Sequence, residues 1–311
     1  MVVGRVMATE RVVLLDVERA DGEPLPEHSA GAHIDVQLDQ WGTGRLVRQY
    51  SLCGVPGDRS RYRIAVLRDP ASRGGSEAVH RIRVGNHLPI SPPRNNFPLA
   101  AASRHHLFAG GIGVTPLLSM AQHLDATGSD YTFDYCARSA GDVVFSELVC
   151  NHPRVRIHLD DGPDHQRMVL SRDLSVYQPD SAVYVCGPAP FIDHVVSGAY
   201  ALGWPADAVH TERFSPTALP ITGDDEFTVR LSSTGAEYTI GPTETVLDVL
   251  VRHGVEARSS CQLGICGECV VNVLAGEPDH RDDVLSDDEH AAGQFTPCCS
   301  RSRTTVLELD L

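Results

Sequence analysis

The first hundred residues carry short apolar runs with the alternation of β-strands, separated by Gly, Pro and Asp. These runs are RVVLLDVE, HIDVQL, YRIAVL and HLPIS. Their length and spacing are typical of a small antiparallel barrel, and no segment among them has the length of a long helix. The pattern therefore predicts an antiparallel β-barrel domain over residues 1–102.

The hydrophobic pattern changes at His105, where strand-like runs alternate with glycine turns and helix-like runs. The segments are HHLFAGGIGVTPLLSMAQHL, YTFDYCA, VRIHLDD and AVYVCGPAPFIDHVVSGAYALG. Strands that alternate with helices favour a parallel sheet covered by those helices. We predict an α/β nucleotide-binding domain over residues 103–214.

The remaining third begins with SPTALPITGDD, which predicts a linker over residues 215–225. FTVRLSS and EYTIG then form a hairpin-like pair, and TVLDVLVRHG predicts a helix that ends at Gly254. The pattern indicates a third domain of mixed α+β type over residues 226–311, so the whole chain is expected to be multidomain.

The composition and net charge of the chain exclude some classes of partner. Its 311 residues carry a net charge of −15, and all 26 basic residues are Arg. Residues 224–311 hold 17 acidic and 6 basic residues, a net charge of −11. Such an acidic chain is a poor partner for nucleic acid.

No run approaches the roughly 18 apolar residues of a membrane span, and the N-terminal segment lacks a signal-peptide pattern. We expect a cytoplasmic monomer without structural disulfides.

Three cysteines lie within nine positions of the last domain. Cys261, Cys266 and Cys269 have the spacing of a plant-type [2Fe-2S] ferredoxin, with Cys298 or Cys299 as the fourth ligand. Gly264 and Gly267 permit the tight backbone whose N–H groups point at the sulfurs. Zinc is the alternative metal, but structural zinc sites usually pair two C-x2-C knuckles, and this loop has one. The spacing predicts a ferredoxin-like (β-grasp) domain with a [2Fe-2S] cluster.

These residues also carry a family resemblance. SSCQLGICGECVVNVLAGEPDHRDDVLSDDE and FTPCCSRSR resemble the C-terminal ferredoxin domain of the phthalate dioxygenase reductase family, and the resemblance extends over nearly the whole chain. In that family a cysteine in a C-x-S-R-like context completes the cluster. The resemblance therefore implies Cys298 as the fourth metal ligand and leaves Cys299 as a bystander. It also implies FMN and NADH as the other cofactors.

Two short motifs in the barrel indicate a flavin site. RQYSLC resembles the R-x-Y-S signature of the ferredoxin reductase superfamily. Arg48 offers a cation for a phosphate, Tyr50 an aromatic face for the flavin ring, and Ser51 a hydroxyl near the flavin N5. In SRGGSEAVH, a predicted helix begins after a glycine turn and presents free N–H groups to a phosphate. Taken singly, each motif is equally well explained as an Arg-Tyr pair in a sheet or as an ordinary helix cap. The expected FMN-binding residues are Arg48, Gln49, Tyr50, Ser51, Val66, Gly74, Gly75 and Ser76.

The second domain carries two nucleotide motifs. FAGGIGVTP lies between an apolar strand and a helix, as dinucleotide sites require, although it departs from strict G-x-G-x-x-G. The superfamily pairs such a turn with a later CGP around the nicotinamide. ERF at residues 212–214 resembles a terminal acidic-x-aromatic segment that approaches the flavin, with a core aromatic as the alternative for Phe214. The expected nucleotide-side residues are Gly111, Gly113, Thr115, Cys186, Gly187, Pro188 and Phe214, with Ser51 and Cys186 in catalytic roles.

The choice between NADH and NADPH depends on the end of the strand YTFDYCARS. An acid that binds the ribose is expected there. Asp134 lies inside the strand instead, while Arg138 and Ser139 follow it, and an Arg at this place is able to accept a 2′-phosphate. The family resemblance favours NADH, which we adopt.

Together these motifs predict an electron path from NADH through FMN and the cluster to an external acceptor, because a flavin converts a hydride into single electrons. By resemblance the acceptor is a terminal Rieske-type oxygenase. One alternative is a reductase of a cytochrome P450. An alternative of another class is a non-enzymatic iron-sulfur redox sensor, which would leave RQYS and GGIGVTP without a purpose.

Overall fold

The computed structural model describes residues 1–38, 46–70, 74–214 and 224–311. The chain forms two compact units, Met1–Phe214 and Ser215–Leu311, and each is described by itself. Most of the predicted linker at residues 215–225 lies outside the described residues, so its bounds stay a prediction. Ser72 and Arg73 of the SRGG turn also lie outside them.

The antiparallel part of the first unit consists of two small sheets around one apolar core. Strands β1, β2 and β5 form one sheet, β3 and β4 form the other, and a bridge between Leu52 and Ile64 joins them. Alternate residues of β2, such as Val13, Leu15 and Val17, are buried in the core between the sheets. The predicted barrel is confirmed. Its elements are β1 (Val2–Met7), β2 (Val12–Val17), β3 (His33–Gln37), β4 (Val47–Ser51), β5 (Tyr62–Leu67) and the helix α1 (Gly75–Arg81).

The second half of the first unit is a parallel five-stranded sheet with helices, as predicted. Its elements are β6 (Arg104–Gly110), α2 (Val114–Thr127), β7 (Asp130–Ala137), α3 (Ser146–Val149), β8 (Val155–Leu159), α4 (Leu170–Asp173), β9 (Ser181–Cys186), α5 (Ala189–Ala201) and β10 (Val209–Glu212). The strand order is β10-β9-β6-β7-β8. The chain therefore winds outward from β6 to β8 and returns to β9 on the other side of β6. Ligands of open parallel sheets bind where the winding reverses in this way, beyond the carboxyl ends of the two central strands.

Asp134 is the centre of a buried charge network in this sheet. Its carboxylate accepts hydrogen bonds from Arg156 at 2.8 and 2.7 Å and lies 2.7 Å from His158 Nε2. Arg156 also donates to the carbonyl of Asp173, at 2.9 Å. Asp134 is fully buried by these partners, so its carboxylate is occupied inside the sheet and is not presented to a ribose.

The second unit is an α+β fold of the ferredoxin-like (β-grasp) type. Its elements are β11 (Phe227–Leu231), β12 (Glu237–Ile240), α6 (Val246–Arg252), β13 (Val271–Ala275), β14 (Pro278–Asp279), α7 (Asp287–Ala291), β15 (Gln294–Phe295), β16 (Arg301–Ser302) and β17 (Val306–Leu309). The main sheet has the order β12-β11-β17-β13-β15, with β11 parallel to β17. Helix α6 begins at Thr245, whose hydroxyl accepts from the Asp248 N–H, and ends before Gly254 at φ 79°. The predicted hairpin, helix and glycine stop are confirmed.

Within the part of the chain that the structure describes, every helix is too short or too polar to cross a bilayer.

The buried network predicts that Asp134→Asn lowers the free energy of unfolding by about 3 kcal/mol, since His158 loses its carboxylate partner and Arg156 keeps the more distant of its two, Asp173 at 3.5 Å. The matched control is Asp130→Asn on the same strand, because Asp130 pairs with Arg104 where both side chains are half exposed. We expect about 1 kcal/mol or less there. Urea unfolding of both variants measures the difference. An Asp134→Asn variant with unchanged stability and a raised KM for NADH would instead make Asp134 a ribose ligand.

Candidate cofactor sites

Arg48 on β4 lies against the first residue of α1. A Cβ added to Gly75 would lie 2.9 Å from Arg48 Cγ and 3.1 Å from its Nε. Glycine therefore lets the arginine side chain cross the start of the helix, where the backbone N–H groups have no partner within the helix. Gly74 precedes the helix with φ 96°. The two predicted flavin motifs, which are separated in sequence, are thus neighbours in the barrel.

The other predicted flavin residues differ in how their side chains are used. Tyr50 packs on the barrel core, and burial raises the pKa of its phenol, which stays neutral. The Ser76 hydroxyl accepts from the Asp69 N–H at 3.1 Å. Gln49 donates to Asp35 at 3.3 Å, and the Val66 side chain is buried in the core. A cofactor contact from Val66 would therefore have to come from the backbone, whereas the Gln49 side chain is only half-buried.

Ser51, Glu212 and Cys186 come together at the edge where the barrel meets the parallel sheet. The Ser51 hydroxyl donates to Glu212 Oε2 at 3.4 Å. Glu212 ends β10 in register with Cys186, which ends β9. Burial raises the pKa of Glu212 to about 8, against the opposing hydrogen bond from Ser51. Burial, followed by the nearby Glu212, raises the pKa of the Cys186 thiol well above its usual value.

Glu212 was absent from the predicted site residues, although its segment ERF was noted. The signal that would have identified it is its position at the carboxyl end of the last parallel strand, beside the strand that ends in Cys186. Phe214, the expected residue of this segment, is 36% exposed and is therefore not a core aromatic.

The two nucleotide motifs meet through their backbones. A Cβ added to Gly113 would overlap the carbonyl of Cys186, and one added to Gly187 would lie 3.0 Å from Gly110 Cα. The glycine turn opens with Gly111 at φ 54°. It is then held by Thr115, whose hydroxyl donates to the Ile112 carbonyl at 3.0 Å. Pro188 follows as the N-cap of α5. Glycine at these places allows an approach that any side chain would prevent.

The end of β7 carries the residues considered for coenzyme choice. Arg138 is exposed there, and the Asp161 N–H donates to its carbonyl at 3.1 Å. The Ser139 hydroxyl donates to Asp142 Oδ2 at 2.7 Å. One exposed arginine therefore follows the strand, and Asp142 and Asp161 contact Ser139 and the Arg138 backbone there.

The predicted cluster ligands converge in the second unit as two pairs of thiols. Cys261 lies within hydrogen-bond distance of Cys266, and Cys269 within that distance of Cys298. The Cys266 thiol, helped by backbone N–H groups that include the one of Leu263, lowers the pKa of Cys261. Gln262, Gly264 and Gly267 bend the loop with φ of 58°, 73° and 72°. Three thiols on a loop lined with N–H groups, with a fourth from the segment after β15, fit a [2Fe-2S] cluster.

Cys299 lies beside the two thiol pairs. Its Sγ lies 3.3 Å from Thr296 Oγ1 and 3.8 Å from Ser300 Oγ, so neighbouring hydroxyls surround it. A Cβ added to Gly264 would overlap this sulfur. The thiol that reaches Cys269 is the one of Cys298. This geometry favours Cys298 over Cys299 as the fourth ligand.

Known proteins resemble the chain over its whole length. Residues 229–303 match the family described as 2Fe-2S iron-sulfur cluster binding domain. The vanillate O-demethylase oxidoreductase of Pseudomonas sp. (strain HR199 / DSM 7063) is 46% identical over 98% of this chain and 97% of its own length. The tert-butanol monooxygenase / tert-amyl alcohol desaturase reductase subunit of Aquincola tertiaricarbonis is 41% identical over 94% of this chain and 90% of its own.

A solved structure has the same arrangement. Phthalate dioxygenase reductase, described as modular and as transferring electrons from pyridine nucleotides to [2Fe-2S], superposes with a TM-score of 0.80 at 35% identity, covering 100% of this chain and 96% of its own. A sensor made of the cysteine domain alone does not account for this full-length match. With the paired thiols and the joined nucleotide motifs, the sequence and fold place the chain in the phthalate dioxygenase reductase family of electron-transfer oxidoreductases, the reductase components of oxygenase systems.

Proposed function

We propose that the chain carries electrons from NADH through FMN and a [2Fe-2S] cluster to a terminal Rieske-type oxygenase. The observation that carries this proposal is the meeting of Ser51, Glu212 and Cys186, which joins the flavin motif of the barrel to the nucleotide motif of the parallel sheet. A bound flavin there would face the carboxyl ends of β6 and β9.

FMN supplies the conversion of a hydride into single electrons. The protein supplies binding and orientation. Arg48, held against Gly75, offers a guanidinium beside the start of α1, a place that suits a phosphate. Ser51 is oriented by its hydrogen bond to Glu212 Oε2. Glu212 holds a proton at neutral pH, because burial raises its pKa to about 8. The site therefore adds no negative charge where hydride has to arrive.

The turn at Gly111–Gly113 and the Cys186–Gly187 backbone form the floor of the nicotinamide side. Their close contact leaves no room for water between them. Cys186 stays a neutral thiol because burial raises its pKa. For the far end of the coenzyme, the end of β7 is followed by Asp142 and Asp161 as well as Arg138, and two carboxylates near a bound 2′-phosphate would repel it. We therefore propose NADH over NADPH.

The partner proposal rests on relatives. The reductase of vanillate O-demethylation is 46% identical, which supports an oxygenase that acts on an aromatic acid or a related compound. A second candidate is a cytochrome P450, because a self-sufficient type IV P450 monooxygenase contains a part with a TM-score of 0.80 and 39% identity to this chain, covering 40% of that protein. We favour the oxygenase, because the alignment with this chain covers 97% of the vanillate O-demethylase oxidoreductase, so that relative is a separate reductase.

The direct test is the cofactor content of the purified full-length protein. We expect one FMN after acid extraction, two irons with two acid-labile sulfides, and reduction by NADH in clear preference to NADPH. FAD in the extract, or zinc in place of iron, would contradict the assignment. The partner is then tested by mixing the reduced protein with a purified Rieske-type oxygenase and with a P450, and comparing the rates of their reduction.

The thiol geometry predicts different results for two neighbouring cysteines. Cys298→Ser removes a thiol that reaches Cys269, so iron content and NADH-dependent reduction of cytochrome c should fall at least about 10-fold. NADH–ferricyanide activity, which needs the flavin alone, should largely remain. Cys299→Ser is the matched control and should keep the iron. Loss of iron in Cys299→Ser with retention in Cys298→Ser would reverse the ligand assignment.

Glu212 predicts a pH dependence of stability. Burial raises its pKa in the folded protein from the usual 4.5 to about 8. Between these pH values the unfolded chain releases the proton while the folded chain keeps it. The contribution of Glu212 to stability is therefore full below pH 4.5, falls as the pH rises and levels off above pH 8.

Glu212→Gln stays neutral at every pH and should flatten this part of the profile. Thermal melting of the first unit, followed by flavin release at a series of pH values, measures the slope. The control is Glu147→Gln on α3, an exposed position at which the wild-type slope should remain. Equal slopes in wild type and Glu212→Gln would mean that Glu212 is ionised throughout.

A further inference from the structure

Asp282 in the second unit is a buried carboxylate without an arginine partner among residues 224–311. Its side chain has no exposed surface. It accepts hydrogen bonds from the Leu285 N–H at 2.9 Å, Thr296 Oγ1 at 3.1 Å and Ser300 Oγ at 3.4 Å. A buried charge is normally paired with a cation or bound to a metal. The side chains that face Asp282 are therefore informative.

Two imidazoles face this carboxylate. His290 Nε2 lies 3.3 and 3.4 Å from the two oxygens of Asp282. His280 Nδ1 lies 4.0 Å from Oδ1, beyond hydrogen-bond distance, and this nitrogen is buried without a hydrogen-bond partner in the described chain. The two rings stack with centroids 3.8 Å apart and planes at 20°. A neutral imidazole carries a lone pair on one ring nitrogen, and the buried His280 Nδ1 has no hydrogen-bond partner among the described residues to use it.

We propose that His280, Asp282 and His290 form a site for a divalent transition-metal ion, with Zn²⁺ as the best match. Two imidazole nitrogens and one carboxylate oxygen are a common zinc donor set, whereas Ca²⁺ and Mg²⁺ prefer oxygen ligands. The three donor atoms lie within 4.8 Å of one another. Bonds of about 2.1 Å in a tetrahedral site require donors about 3.4 Å apart.

A modest rotation of the two rings, which are 19% and 21% exposed, would bring the donor atoms from their present separations to about 3.4 Å. Both rings lie at the surface with part of their area, so they are able to move when an ion enters. Thr296, Ser300 and the Leu285 N–H orient the carboxylate, as outer partners do in metal sites.

The first unit contains a second group of histidine and carboxylate side chains, Asp134–His158–Asp173, with which the group around Asp282 can be compared. Its carboxylates already pair with Arg156 and Arg172. Those arginines supply the compensating charge, and an additional cation would be repelled. The group around Asp282 has the same donor types with no arginine paired to it in the described part of the second unit.

The position of the site gives it a structural consequence. The neighbouring Asp283 N–H donates to the Gly264 carbonyl of the cluster loop at 3.0 Å. Thr296 and Ser300, which bind Asp282, flank Cys298 in sequence. An ion held here would join the segment before α7 to the helix α7, and through Asp283 it would stabilise the loop that holds three of the four thiols. This inference does not depend on the proposed electron path.

The test is zinc binding to the oxidised full-length protein with its cofactors, by competition with a chromophoric chelator, with zinc and iron counted by mass spectrometry. We expect one zinc per chain in addition to the iron. His290→Gln should weaken binding at least about 10-fold. The control His253→Gln, which removes an exposed histidine of the same unit, should bind as the wild type does. Equal affinity in wild type and His290→Gln, or no zinc bound by wild type, would overturn the site.

Zinc K-edge absorption of the wild-type complex provides a readout that does not depend on how the variants fold, since it is insensitive to iron and flavin. Nitrogen and oxygen neighbours at about 2.0 Å with an imidazole pattern support the site. Sulfur neighbours at about 2.3 Å would place the zinc on cysteines and reject the site. If His290→Gln loses iron, His280→Gln replaces it under the same expectations. NADH–ferricyanide activity is expected to be independent of zinc, so failure here leaves the proposed function intact.

Discussion

The first unit depends on one close backbone contact, between the glycine turn after β6 and the end of β9. The carbonyl of Cys186 occupies the space where a side chain of residue 113 would lie. This contact brings the two central strands of the parallel sheet to a common edge, at the point where the winding reverses. Because β10 lies beside β9, the same contact places Glu212 next to Cys186 and within reach of Ser51.

The second unit depends on a different constraint, the placement of its four cluster thiols. Four thiols have to face one another, and a regular helix or strand cannot direct side chains from adjacent positions to one point. The loop solves this with left-handed backbone at three positions and with N–H groups turned toward sulfur. The fourth thiol arrives from the segment between β15 and β16, which Thr296 and Ser300 tie to Asp282. The cluster site is therefore specified as much by hydroxyls and a buried carboxylate as by the cysteines.

Three carboxyl groups show different ways of offsetting the free-energy cost of removing a negative charge from water. Asp134 pairs with Arg156, which supplies positive charge, and with His158. Glu212 has no such partner in the described structure beyond a serine hydroxyl, so burial raises its pKa to about 8 and it keeps its proton. Asp282 is enclosed by hydroxyls, a backbone N–H and two imidazoles. The Asp134 ion pair stabilises the parallel sheet. Glu212 and Asp282 lie beside the cofactor sites, where ionisation of Glu212 or binding of a cation to Asp282 would change the charge near a cofactor.

The sequence alone was sufficient for the three fold types and for the cluster motif, because alternation, glycine turns and thiol spacing are local properties of the chain. The helix stop at Gly254 and the C-x4-C-x2-C loop needed no tertiary information. Pairings between distant segments were different. That Arg48 crosses Gly75, that Glu212 meets Ser51, and that Asp134 is occupied inside the sheet follow from strand order and register. These are set by packing over long separations, for which one sequence carries no signal, so only the tertiary structure decided them.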